Sequence, residues 1–513
     1  MKDLGIGSWI ERRARISPDH PAIVSEGTSR GYSELAGRVR QLAHGLRRLG
    51  VRRRDRVGWL GPNHQAFLET LFATAKLGAV LSPVNHLLDP AAVGGMLMDS
   101  GARIVVTAGD SIRLALPSNI ETRLAVGGGG EGTIEYERLL ADSPDDPIDE
   151  RVGLDDLCML PYTSGTTGAA KGVMLTHGNI TYNVVNLLAS ADFRVDDVTI
   201  AVAPFFRVGG TGVNMLPVLF KGGTVVIPAA SGPDEILRLI ERHRVTVGFG
   251  NPDLLDALTH SSQWATSDVS SIRFVITGGA PVPEGLILAY HERGVPLLQG
   301  YGLSEAAPTV LLLDPVSSLR KPGSAGKPVF YDSIRIARPD GSPCDGGGTG
   351  ELLVSGPNVM AGYWNRPEAT RRTIDENGWL HTGDAVRLDE EGYVWIVDRV
   401  EDSYVSSGHV VYPGNVERVL AEHPAVADVG VVGVRPAGAA DGADALGAGG
   451  EQTGAAFVVL KAGVMVSVKK LLGFCRGRLA EHEVPRSITF VERLPRTSVG
   501  KLMRAELRRL AEA

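Results

Sequence analysis

The stretch YTSGTTGAAKG, Tyr162 to Gly172, gathers hydroxyls, glycines and one lysine into a short run. Glycine lets backbone N–H groups come close to an anion. The hydroxyls of Thr163, Ser164, Thr166 and Thr167 add donors, Gly165 and Gly168 keep the backbone open, and Lys171 supplies positive charge, so the composition suits a polyphosphate. A flexible turn is the other reading of the same residues. The stretch is not a Walker A loop, because Ala170 precedes Lys171 where that motif has glycine, and Gly172 follows where it has Ser or Thr.

The elements around this loop read as α/β. The apolar run LCMLP precedes it, and a helix is expected to begin near Thr176. Upstream, SELAGRVRQLAHGLRRLG places Leu35, Val39, Leu42 and Leu46 on one face, with Ser33 at the start and Gly50 at the stop. Strand-like RVGWLGPN, a helix from Gln65 to Leu77 and strand-like AVLSPVN follow. Downstream, GGTVVIPAA, RVTVGFGNP and IRFVITGGAP are apolar runs ending in Gly or Pro, as expected of buried parallel strands whose carboxyl ends carry binding loops.

With 513 residues the chain is long enough for two or more domains, each with its own core. Lys and Arg number 52 against 59 Asp and Glu, a formal charge of −7, so neither a polyanionic partner nor nucleic acid is expected. Cys158, Cys344 and Cys475 lie far apart in no metal-ligand spacing, and a reducing cytoplasm fits them. No apolar run reaches the roughly 18 residues that span a bilayer, and no membrane partner is expected. After about Leu311 short Gly-rich strands predict a small antiparallel β unit, with a domain boundary just after Arg399 and an α+β domain beyond it. Within that last part, the Ala/Gly/Asp-rich run from Arg435 to Gly454 reads as a loop.

Beside YTSGTTGAAKG the chain carries, in order, APFFRVGG (Ala203 to Gly210), ITGGAP (Ile276 to Pro281), QGYGLSEAAP (Gln299 to Pro308), GWLHTGD (Gly378 to Asp384), DRVED (Asp398 to Asp402) and LPRTSVGK (Leu494 to Lys501). With these motifs it resembles, over nearly its whole length, the adenylate-forming superfamily of acyl-CoA synthetases, luciferases and peptide-synthetase adenylation domains. The resemblance implies an α/β multi-domain fold. Residues 1–400 would form a large N-terminal domain of two mixed α/β sheets plus a small β-barrel-like unit at about 312–400. Residues 401–513 would form a small mobile α+β domain hinged at Asp402.

The chemistry implied is attack by a substrate oxyanion on the α-phosphate of ATP, which gives an AMP adduct and pyrophosphate. Two anions must meet, so cationic and metal charge has to be preorganised there. By motif matching, Lys501 would bridge the substrate oxygen and the α-phosphate, Glu305 would hold Mg²⁺, and Thr163 and Ser164 to Gly168 with Lys171 would hold the leaving phosphates. Asp384 would accept from the ribose hydroxyls with Arg399 behind it, and Gly279, Ala280, Pro281, Tyr301, Gly302 and Ser304 would line the nucleotide slot. Taken singly, each has a plainer reading: Lys501 a solvated lysine, Asp384 a turn residue or helix cap, Tyr301 a packing residue, Glu305 a helix-start carboxylate. Taken in this order together, they read as a site.

Two departures from the family pattern stand out. Arg207 takes a position usually held by His in the acid pocket. Arg is permanently charged and forks onto oxyanions, and a buried unpaired Arg is costly, so a role in steering a small anion or a second carboxylate is expected there, the other reading being that it turns outward and pairs with a surface acid. The other candidates for the acid pocket are Val208, Gly209, Asn214, Phe249, Asn251, Gly278, Gly302, Leu303 and Ala307. The second departure is RVEDSYVSSGHVVYPGNVE, Arg399 to Glu417, where Glu401 replaces a usual Lys, Ser407 a Gly, His409-Val410 an acidic residue and Asn, and Asn415 a Glu. His482-Glu483 also stand where Tyr-Lys is usual. By resemblance this segment lies beside the pantetheine channel in the second half-reaction, where Ser407 and Val410 would narrow the path and Glu401 removes a basic residue, so these changes count against CoA as the acceptor.

Three functions follow. The first is an acyl- or aryl-CoA ligase using ATP, Mg²⁺ and CoA on a small acid. The second is a diazotase-type enzyme that adenylates nitrite and couples it to an arylamine without CoA. The third is a catalytically silent nucleotide-binding homologue, disfavoured because Lys501, Glu305 and Asp384 are all present. The expected partners are a small-molecule acid or oxyanion and a nucleophilic acceptor, and the chain is either a monomer or a homodimer.

Overall fold

The helix Tyr32–Arg48 forms because apolar side chains recur on one face: Leu35, Val39, Leu42 and Leu46 are all 1% exposed or less. Its start lies slightly upstream of the expected serine. Gly31, in extended backbone, is the N-cap, no side chain caps the helix, and the Ser33 N–H bonds the Pro18 carbonyl instead. The stop is as expected, since Gly50 takes a positive φ of 95°. The computed structural model describes residues 3–25, 27–163, 170–230, 232–344, 348–435, 452–496 and 502–512. Ser164 to Gly168, Lys501 and most of the Ala/Gly-rich run lie outside the described residues.

The chain divides into two units, one of Met1–Ile334 with Val354–His381, the other of Arg335–Leu353 with Thr382–Ala513. Among the described residues the first unit holds two nine-stranded mixed sheets. In one, the strands Thr224–Ile227, Val198–Ile200, Val247–Gly250, Phe274–Thr277 and Leu297–Gly302 run parallel and adjacent in that order, extended by the antiparallel Thr309–Leu312 and Lys327–Pro328. In the other, Val80–Val84, Arg56–Leu60, Ile104–Ala108 and Thr122–Val126 are parallel, and Lys171–Thr176 pairs antiparallel with Leu157–Met159. The apolar runs of the sequence are these strands, buried on both faces as parallel strands must be.

Helix His177–Ser190 follows Lys171–Thr176 with Thr176 as its N-cap, in a reciprocal capping box with Asn179. Among the described residues no helix is long and apolar enough to cross a membrane. The three cysteines are buried and free.

The second unit contains most of a four-stranded sheet ordered Ser333–Ala337, Thr349–Ser355, Leu380–Leu388, Val394–Arg399. A hairpin follows, Tyr404–Ser406 with His409–Val411, and then a three-stranded sheet of Val426–Val434, Thr453–Leu460 and Ser487–Phe490. Tyr404, Val416, Leu420, Val431, Val458 and Leu471 make its core. Each such side chain contributes about 1.5–3 kcal/mol when withdrawn from water.

Candidate functional site

Parallel strands end their side-by-side run at one edge of the sheet, and loops that bind ligands gather there. The Gly250↔Thr277 and Thr277↔Gln299 pairings place Asn251, Gly278 and Gly300 side by side just past those ends. The backbones touch. A Cβ added to Gly278 would lie 2.5 Å from the Gly300 carbonyl oxygen, and one on Gly302 would lie 1.7 Å from the Pro308 oxygen, so only glycine fits at either position. Gly279, Ala280 and Pro281 leave the strand exposed, Gly279 with φ 84° and open space beside it, while Tyr301 and Gly302 are half-buried on the neighbouring strand.

The acid-pocket candidates sort into two groups. Gly209 sits against the Phe249 ring, whose Cε1 and Cζ would lie 3.5 Å from an added Cβ, and Leu303 is half-buried while Val208 and Ala307 are buried. Asn214 and Asn251 are committed to the scaffold. Asn214 is buried and donates to Thr199 Oγ1 at 2.5 Å, and Asn251 caps the helix Pro252–Thr259 by accepting from the Leu254 N–H at 3.3 Å. Arg207 corrects an expectation. It is exposed at the N-cap of the short helix Val208–Gly212, so the cost of burying an unpaired guanidinium does not arise, and its side chain makes no ion pair among the described residues.

Glu305 lies in the 3₁₀ turn Ser304–Ala306, which ends at Ala307 with φ 57°. Its carboxylate Oε1 accepts from the Tyr363 hydroxyl at 2.7 Å, and its carbonyl accepts from Met360 N–H at 2.8 Å. Lys171 Nζ stands 4.5 Å from the centre of the same Tyr363 ring. The lysine of the glycine-rich stretch and the acidic side chain thus share one aromatic ring. Lys171 also pairs in register with Thr163, which sets the two described flanks of the glycine-rich stretch side by side. Tyr162 anchors the base of that segment by donating to Asp99 Oδ2 at 2.8 Å, where Arg366 takes Oδ1 at 2.9 Å.

The donor set fits magnesium. A half-buried carboxylate is a hard oxygen ligand, and no cluster of three or more His, Cys, Asp or Glu among the described residues could cage a metal by itself. Mg²⁺ is commonly held in this way, by one or two carboxylates together with substrate phosphates and water. Sequence reasoning missed Tyr363 and its neighbour Asn358. The signal available was GPNVMAGYWNRP, Gly356 to Pro367, a polar and aromatic run with neither helical nor strand periodicity.

In the second unit Asp384 and Arg399 are register partners on adjacent strands, and Arg399 Nη1 donates to Asp384 Oδ1 at 2.8 Å. Asp384 is 8% exposed and its N–H bonds Thr382 Oγ1 at 3.1 Å. Glu401 Oε1 lies 3.9 Å from Arg399 Nε, so the acidic replacement lies against the same guanidinium. Asp402 is 3.2 Å from Arg504 Nε, and Arg504 also pairs with Glu417 and Asp398. Burial pushes the Asp398 and Asp402 carboxyls above the usual range, while Arg504 pulls both back down.

The unusual residues of this unit meet in pairs. His409 stacks on His482 with ring centres 4.4 Å apart, and Asn415 donates to Glu483 Oε1 at 2.7 Å. Ser407 and Gly408 form the two-residue turn of the hairpin with φ of 52° and 74°.

The profile of the AMP-binding enzyme family matches residues 10–364, and that of the AMP-binding enzyme C-terminal domain matches residues 415–501. The chain is 43% identical over 509 residues to a feruloyl-CoA synthase from an Amycolatopsis species, covering 99% of each. It is 36% identical over 512 residues to the indoleacetate–CoA ligase of Aromatoleum aromaticum, covering 98% of each. O-succinylbenzoate coenzyme A synthetase from Bacillus subtilis, in complex with ATP and magnesium ion, superposes with a TM-score of 0.82 at 30% identity, covering 98% of this chain and 99% of the other.

Proposed function

The chain belongs to the AMP-binding enzymes, and from that premise we propose that it is an ATP- and Mg²⁺-dependent ligase that adenylates an aromatic carboxylic acid and passes the acyl group to the thiol of CoA. The observation that carries this reading is the end-to-end kinship with proteins named for CoA ligation of feruloyl and indoleacetate groups. The site supports it with Phe249 against Gly209, an aromatic wall beside a position with no side chain to block a flat ring.

In the first half-reaction a carboxylate oxygen of the acid attacks the α-phosphorus of ATP, a P–O bond forms, and the bond to the β-phosphate oxygen breaks to release pyrophosphate. Arg207, exposed beside the pocket candidates, draws the acid in as an anion. Lys501 holds the attacking oxygen and the α-phosphate together, which lowers the repulsion between two anions. Lys171, with the hydroxyls and N–H groups of Thr163 to Gly168, holds the departing phosphates. Glu305 would hold Mg²⁺, which when bound would offset phosphate charge, and Tyr363 fixes the orientation of its carboxylate. Asp384 accepts from the ribose hydroxyls, oriented by Arg399, and Gly279 to Pro281 with Tyr301, Gly302 and Ser304 line the base.

In the second half-reaction the thiol gives its proton to solvent, sulfur attacks the acyl carbon, and the bond to the AMP oxygen breaks to release AMP. The working division is residues 1–400 against 401–513, with Asp402 as the pivot. The experiment is a pyrophosphate-release screen with Mg-ATP across hydroxycinnamic, arylacetic and benzoic acids and nitrite, beside a Lys501→Ala control. Release with an aromatic acid, lost in the control, is the expected result. No release above the control with any of them overturns the enzyme reading.

A further inference from the structure

One face of the His177–Ser190 helix carries Asn179, Asn183 and Asn186, at spacings of four and three, and the three side chains are 7%, 0% and 0% exposed. Each amide holds a different loop. Asn179 Nδ2 donates to the carbonyls of Pro357 and Val359 at 2.9 and 2.7 Å. Asn183 donates to the Gly212 carbonyl at 2.9 Å and accepts from the Thr309 N–H at 3.1 Å. Asn186 accepts from the Tyr331 N–H at 2.9 Å and donates to Asp332 Oδ1 at 3.1 Å.

The other Asp332 oxygen lies 2.9 Å from Asn358 Nδ2, and the carbonyls of Ala306 at 2.9 Å and Thr309 at 3.0 Å face the same NH₂ group, so its two hydrogens are shared among three acceptors. Those carbonyls bracket Ala307, the left-handed residue that closes the Glu305 turn. Met360 and Tyr363, on the same 357–363 segment, bond the Glu305 carbonyl and carboxylate.

We infer that Asp332 is a positioning residue for Glu305, acting through Asn358 and the row of asparagines. The proposal rests on the reading of Glu305 as the magnesium ligand. A side-chain amide can present either its oxygen or its NH₂ group to a neighbour. An ionised carboxylate only accepts, so Asp332 fixes the NH₂ end of Asn358 toward itself and toward the Ala306 and Thr309 carbonyls. Asp332 is 8% exposed and among the described residues its carboxylate accepts from neutral amides alone, an arrangement that is costly as packing and effective for orientation. An amide at position 332 could itself donate, which lets Asn358 turn its oxygen inward and release the turn.

The test uses the full chain at pH 8 and two readouts: Mn²⁺ affinity by electron paramagnetic resonance in the presence of a non-hydrolysable ATP analogue, and steady-state pyrophosphate release. Asp332→Asn is expected to weaken Mn²⁺ binding about tenfold and to raise the half-saturating Mg²⁺ concentration by a similar factor, leaving KM for the acid within twofold. Asn186→Ser, a milder change at the same carboxylate, is expected to shift the Mn²⁺ affinity about threefold and serves should Asp332→Asn not fold. Unchanged Mn²⁺ affinity in these variants, with a loss in Glu305→Gln, overturns the positioning role alone. Unchanged Mn²⁺ affinity in Glu305→Gln overturns that role together with the magnesium reading beneath it. Parallel loss of Mn²⁺ affinity, acid KM and melting temperature assigns Asp332 to general structure and also overturns it.

Discussion

The Tyr363 hydroxyl donates to Glu305 Oε1 at 2.7 Å, and Lys171 Nζ stands 4.5 Å from the centre of the same ring. One tyrosine therefore sets the spacing between the lysine of the glycine-rich segment and the proposed magnesium ligand.

Tyr363→Phe keeps the ring under Lys171 and removes the hydroxyl that donates to Glu305. Loss of a bond to a charged acceptor is worth about 1.5–3 kcal/mol. Pyrophosphate release at limiting Mg²⁺ should fall about tenfold or more, recovering in part at high Mg²⁺. A magnesium titration of initial rates checks this, and an unchanged titration removes Tyr363 from the account.

Arg504 is the shared cation of Asp398, Asp402 and Glu417 and is 12% exposed in its side chain. Removing one partner from such a cluster leaves buried carboxylates uncompensated. Arg504→Gln should destabilise the second unit by about 3–5 kcal/mol. Urea unfolding followed by probes placed separately in each unit should show the loss confined to the second unit.

Asp332 gives a pH signature. Burial raises its carboxyl from 3.8 to about 7, against only the Asn358 and Asn186 amides that lower it. The folded protein therefore binds the proton more tightly than the unfolded chain, so this contribution to stability is full below about pH 4, declines as pH rises and is gone above about pH 7. Asp332→Asn removes it. The variant-minus-wild-type difference in unfolding free energy should move in the variant's favour between pH 5 and pH 7 and level off by pH 8. A difference that does not change with pH contradicts the assignment.

Ser407 occupies a left-handed turn position at φ 52°, which costs a side-chain-bearing residue roughly 1–2 kcal/mol and glycine little. Ser407→Gly should raise the stability of the second unit by about 1 kcal/mol, part of the gain being offset by the greater freedom of glycine in the unfolded chain. Combined with Val410→Asn, it should leave thioester formation within twofold. A large gain in thioester formation would show that the native residues obstruct the acceptor.

Much of the fold was legible in the sequence. Runs such as IRFVITGGAP announce buried parallel strands by unbroken apolar character, and Thr176 announces a helix start by its capping chemistry. The Ser33 start was misplaced because the turn at Gly31, rather than a hydroxyl cap, sets where the helix begins. Asn214 and Asn251 look like pocket amides in a linear reading, but the fold uses one to bond Thr199 and the other to cap a helix. Arg207 was expected to be costly in burial and is exposed. Glu305 is proposed by motif, whereas Tyr363 and Asn358 were missed because they join it across more than fifty residues of chain, a distance no local pattern spans. His482 and Glu483 read as separate departures until the fold paired them with His409 and Asn415.

The products that accompany AMP decide whether the acyl group passes to the CoA thiol. The purified protein is given Mg-ATP, a hydroxycinnamic acid and CoA, and in a parallel reaction Mg-ATP, nitrite and an arylamine, with AMP and products quantified in both. One acyl-CoA thioester per AMP is expected in the first reaction, and none of either product with Lys501→Ala. Nitrite-dependent AMP release with arylamine coupling, and no thioester from any aromatic acid, would contradict it.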